Sequence, residues 1–187
     1  LTALLPADAL RGKRIAVGAG SRGIDRIPLV VATIVAFLKA HGAEPFVLPV
    51  MGNHGGATAE GQAGILEGLG ISEATVGAPI RARMDTRLVG HTPAGTPVFV
   101  SEEALAADGV VIVNRVKPHT DFDSVTLGSG LIKMAAIGLG RSEGAAACHR
   151  GARSLGFEAV LPAVARVALG HVNVMAAVGL VEDGHHQ

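Results

Sequence analysis

The chain has 187 residues, with 16 lysines and arginines against 16 aspartates and glutamates, so its formal net charge is zero. That length suffices for one full-sized core, and the balanced charge leaves no basic field to hold nucleic acid or an anionic membrane. Trp and Tyr are absent and only five Phe occur, which removes most platforms for stacking single-stranded bases and points to a small-molecule partner.

Residues 1–187 read as a single α/β domain. "KRIAVGAG", Lys13 to Gly20, is a strand running into a glycine-rich turn. "IPLVVATIVAFL" follows as a buried helix, stopped by Gly42 and too short for the roughly 18 or more apolar residues of a membrane span. "EPFVLPVMG" is the second strand, and Thr58 is placed to cap a helix carrying "AEGQAGILEGL", closed by Gly68 and Gly70. Between Gly77 and Val100, three prolines and short alternating pieces predict a hairpin or edge strands. "GVVIVNRV", Gly109 to Val116, is a β-branched run of the kind buried in a parallel sheet. "FEAVLPAVARVALG" predicts a helix kinked or started near Pro162, and "VNVMAAVGLVED" a last strand. This alternation of strands and helices predicts a Rossmann-like, mostly parallel sheet flanked by helices.

In such folds ligands bind beyond the carboxyl ends of the strands. Three polar or glycine-rich turns fall there: "GAGSRGIDR", "GNHGGAT" and "RVKPHTDFDS". A site drawing on all three would gather Arg22, His54, Lys117 and His119. Histidine titrates near neutrality and serves as acid, base or metal ligand, so His54, His119 and His149, each expected in a loop or at a helix start, are the candidates for chemistry. Lys133 lies among apolar neighbours, where desolvation lowers an amine's pKa and favours covalent bonding. Gly18, Gly20 and Gly23 match a dinucleotide-type glycine spacing without the helix opening at once, which is weak support for NAD. No H-x-x-x-H or C-x-x-C spacing marks a structural zinc site. Cys148 is the only cysteine; it excludes an intrachain disulfide and fits a reducing cytoplasm, and its neighbour His149 is poorly placed to activate it.

Taken together, "GAGSRGI", "GAEPFVLPVMGNHGGATAEGQ", "VNRVKPHTDFDS" and "SGLIKMAAIGLGRSEGA" resemble the amino-terminal domain of the nickel-dependent lactate racemase family, and more closely its uncharacterised branch. The resemblance implies the amino-terminal part of a longer two-domain protein. It also implies a nickel-pincer nucleotide as cofactor and a 2-hydroxy acid as substrate. Position by position it makes Lys133 the covalent attachment point, His149 the nickel ligand, Arg22 the contact to the cofactor phosphate, and His54 with His119 the proton-transfer pair. Racemisation then follows from hydride transfer out of a hydroxy acid and back to its other face. The sequence departs from the lactate racemases proper at Ala19, where they carry an acidic residue, and at Gly55-Gly56, where they carry Arg-Pro. The substrate therefore stays open, as does the need for a carboxyl-terminal domain or a second copy. Two rival expectations remain: a Rossmann-like phosphate- or nucleotide-binding domain without nickel chemistry, and a non-catalytic fragment or interaction domain.

Overall fold

Four strands rich in Val, Ile, Ala and Leu form one parallel sheet in the order β2-β1-β5-β6: β1 (Arg14–Ala19), β2 (Glu44–Pro49), β5 (Gly109–Arg115) and β6 (Val174–Leu180). The computed structural model describes residue 5, residues 9–117, residue 128 and residues 130–182. Successive side chains of a strand face opposite sides of a sheet, and both sides are buried in β1, β2 and β5, whereas the edge strand β6 is only partly covered. Ala16, Val110 and Ile112 join Phe46 and Leu48 on one side; Ile15, Val17, Val111 and Val113 join Val47 on the other. Burial on both faces explains why these strands read as unbroken apolar runs.

The second of those faces is covered by α1 (Ile27–Ala40) and α2 (Ala59–Gly68). In α1 the buried residues Ile27, Val31, Ile34, Val35 and Leu38 form one helical stripe. Gly42, at φ +79, ends it as expected: its N–H bonds Lys39 O and the next N–H, of Ala43, bonds Leu38 O, the paired bonds that satisfy a helix's last carbonyls. Thr58 caps α2, its hydroxyl accepting from Gly61 N at 3.0 Å. A short helix, α3 (Glu73–Val76), follows, and the backbone of Pro79 and Arg81 then pairs with Val47, covering the outer edge of β2.

The expected hairpin is present as antiparallel β3 (Thr86–His91) and β4 (Pro97–Ser101), followed by the short α4 (Glu102–Leu105). It packs on the first face of the sheet together with α6 (Arg141–Leu155) and α7 (Phe157–Leu169). Two local expectations change. Pro162 lies inside α7, which begins at Phe157 rather than at the proline; the buried stripe Val160, Leu161, Val164, Ala165 and Ala168 outweighs the one donor a proline removes. His149, expected in a loop or at a helix start, sits in the middle of α6. That helix is built largely of Ala, Gly and charged residues, and so lacks the large apolar periodicity that announces a helix. Before it, α5 (Leu131–Lys133) runs into a π-helical turn, Met134–Gly138, whose wider ring is closed by Leu139 N on Met134 O at 2.9 Å. Among the described residues no helix is long and apolar enough to cross a membrane.

Candidate functional site

From β1 the chain steps outward to β2, then returns to place β5 on the other side of β1. The direction reverses between β1 and β5, and at such a switch point the two following turns diverge and leave a crevice. A cleft of about 420 Å³ opens there. Its walls include the turn after β1 (Gly20, Ser21 and Arg22), the end of β5 at Asn114, and Met51 and His54 after β2. The π turn and α6 complete it with Lys133, Met134 and His149.

Four of the residues singled out in the sequence, Arg22, His54, Lys133 and His149, thus line one cleft. Lys117 does not line it, and His119 lies outside the described residues. Arg22 and Lys133 bring positive charge, and none of the described lining residues is a carboxylate, so the cleft attracts anions.

His54 is held from two directions. Gln62, fully buried on α2, donates through Nε2 to Gly52 O at 2.8 Å and to His54 O at 3.2 Å, fixing the backbone of the turn. Ser21 Oγ lies 2.6 Å from His54 Nδ1. With Nδ1–H donating to that hydroxyl, Nε2 keeps its lone pair, the form a general base requires. The first of the two glycines after His54 is needed sterically. Gly55 has φ +64, and a Cβ on it would lie 2.5 Å from the backbone carbon of Gly61, a contact no side chain could accept.

Partial burial, then the charges of Arg22 and Lys133, hold the His54 pKa below its ordinary 6.5. Both charges disfavour the imidazolium, so His54 is neutral at pH 7. Because the unfolded chain binds this proton more readily, His54 favours the folded state above about pH 6.5 and does so less as pH falls toward its folded value. We expect an NMR titration of the His54 ring to give a midpoint below 6.5, moving upward in a Lys133→Met variant. An unmoved midpoint in that variant would remove the lysine from its surroundings.

His149 projects from α6 with its ring edge-on to Phe157, 5.2 Å between centroids and 88° between planes. The neighbouring Cys148 is buried against Ala136 O, and burial pushes its thiol pKa up to about 12; it is a packing residue rather than a nucleophile. Sequence reasoning passed over Ser21, Gln62, Asn114 and Arg141. Asn114 carried a readable signal as the polar close of an apolar strand. Arg141 carried none, since a charged residue after a glycine reads as solvated. It is fully buried, in a left-handed conformation (φ +53), and its guanidinium donates to Pro49 O and, at 2.7 Å each, to Ala82 O and Arg83 O.

Residues 19–187 match the family described as "Domain of unknown function (DUF362)". No curated protein matches the sequence. Among solved structures the chain is similar to the lactate racemase apoprotein from Thermoanaerobacterium thermosaccharolyticum, with 17% identity and a TM-score of 0.65. The match takes in 96% of this chain and 45% of that one, so this chain spans about half the length of that protein. At this identity the likeness is one of fold.

Proposed function

The chain belongs to the family described as a domain of unknown function, DUF362, and on that premise we propose that it is the cofactor-carrying unit of a racemase or epimerase acting on a 2-hydroxy acid through a nickel-pincer nucleotide. The observation that supports this most is the convergence of Arg22, His54, Lys133 and His149 on one cleft, since these are the residues the sequence resemblance assigns to cofactor, metal and proton transfer. The likeness of fold to a lactate racemase apoprotein points the same way.

The residues present fit such a group. Lys133 is a half-buried primary amine on the cleft wall, suited to a covalent bond with an electrophilic ligand. Arg22 offers a planar, permanently charged fork for a phosphate. His149 would offer one imidazole to a nickel ion whose remaining donors an organic group such as the pincer would supply. When bound, the nucleotide supplies an electrophilic carbon that accepts a hydride. The chain's own part is to seat it by Arg22 and Lys133, to offer the His149 imidazole, and to take the substrate hydroxyl proton at His54 Nε2. His119 is the proposed second base. A carboxyl-terminal domain or second copy is proposed to complete the substrate contacts.

The test is the intact mass and nickel content of the full-length protein, produced alongside the enzymes that make the cofactor, against a Lys133→Ala variant. Added mass with nickel in the parent and neither in the variant is the expected result. Unmodified mass in both, with a loaded control racemase, would overturn the proposal. A nucleotide that binds equally well without Lys133 would favour a phosphate- or nucleotide-binding unit without nickel chemistry.

A further inference from the structure

Asn114 is the penultimate residue of β5, at the switch point between the two halves of the sheet. It is 7% exposed and faces the cleft. Among the described residues its carboxamide pairs with no protein group, and its polar atoms open to the cleft instead of being sealed from solvent. Room is kept for it: a Cβ on Gly20 would come within 2.9 Å of Asn114 Oδ1 and 3.4 Å of Met134 Sδ. Gly20 therefore lets the strand end and the π turn approach the first turn closely, with the amide between them. The contrast with Gln62 is informative. Gln62, whose Oε1 is sealed from solvent, spends its donor on two backbone carbonyls, as a structural amide does, whereas the Asn114 amide bonds no described residue and meets the cleft.

We infer that Asn114 is a ligand-binding residue whose carboxamide hydrogen-bonds an uncharged polar group, a hydroxyl or an amide, of a mononucleotide seated in the cleft. This rests on reading the cleft as a nucleotide site. A carboxamide offers one acceptor and two N–H bonds without charge, so it complements a neutral group and adds nothing to the capture of the phosphate, which falls to Arg22. Asn114 accordingly distinguishes a nucleotide from a bare phosphate.

The experiment uses the full-length protein without cofactor, titrated calorimetrically with nicotinic acid mononucleotide and, separately, with inorganic phosphate. In an Asn114→Leu variant the nucleotide should bind at least tenfold more weakly, phosphate binding should change less than twofold, and the melting temperature should change little, because the amide supports no other described residue. Asn114→Ser, smaller and still polar, serves as a second variant and should lose the same nucleotide affinity. Equal nucleotide affinity in the parent and both variants would overturn the role of Asn114 while leaving the cleft a nucleotide site. A sharp fall in melting temperature in both variants would make the residue structural. A parent that binds phosphate but no nucleotide, or neither, would overturn this inference and the nucleotide reading together.

Discussion

If the proposed racemase reading holds, glutamine in place of His54 should lower turnover of the 2-hydroxy acid by about 10²–10⁴-fold, the usual contribution of a positioned acid or base, while leaving nickel content unchanged. The side chain keeps a hydrogen-bonding group near Ser21 Oγ, now 2.6 Å from Nδ1, but has no group that titrates. His149→Ala should fail differently, losing nickel first and activity as a result, so metal analysis beside turnover separates the two roles. The pH profile of the parent adds a signature. The His54 pKa is held below 6.5 by burial and by Arg22 and Lys133, so the base stays competent into mildly acidic solution and the acid limb should fall below pH 6.5. Full turnover in His54→Gln would remove the residue from the chemistry. An acid limb centred above 6.5 would assign that limb to another group.

Arg141→Leu should destabilise the protein by about 3 kcal/mol or more, read as a lower urea midpoint at unchanged slope. A buried carbonyl left without a donor costs about 1–3 kcal/mol, and the guanidinium serves three carbonyls, that of Pro49 buried and those of Ala82 and Arg83 partly buried. Some relaxation toward water reduces the sum, which is why the lower part of that range is expected. The charge itself survives burial. Desolvation brings the pKa down to about 10 against a smaller opposing pull from Glu103, so the group remains protonated at neutral pH. The position matters beyond stability, because Pro49 ends the strand that leads to His54 and Arg141 opens the helix that carries His149. A loss under about 1 kcal/mol would mean that these bonds exchange freely with water.

Much of the scaffold was legible in the sequence because its signals are local. The β-branched run before Asn114, the glycine at position 42 and the Thr58 cap each act through their own backbone neighbourhood, and each element formed where those signals lay. The parallel sheet followed from their alternation. The segment from Leu131 to Leu155 was harder to read. Its helices are stabilised by close packing of small residues, such as Gly138 against Val50 and Gly140 against Gly144, and packing of that kind leaves no periodic trace. For the same reason the sequence predicts a loop or helix start at His149, not the middle of a helix. Arg22, His54 and Lys133 could be nominated from turns and an apolar context, but their meeting in one cleft depends on strand order, which residue types do not encode. The support beneath them, Ser21 under the imidazole and Gln62 under its backbone, depends on contacts 33 and 8 residues apart respectively.

The π turn at Met134–Gly138 sets an angular phase. An unbroken α-helix advances about 100° per residue, so His149, sixteen positions after Lys133, would point roughly 160° away from it, on the back of the same rod. The widened turn and the left-handed Arg141 that follows it break that rod and reset the rotation, so the amine and the imidazole look into a common space. Spacing between the two residues is therefore a quantity the fold cannot vary by a single step: deletion of one residue between them would turn one partner out of the cleft while leaving both in the sequence.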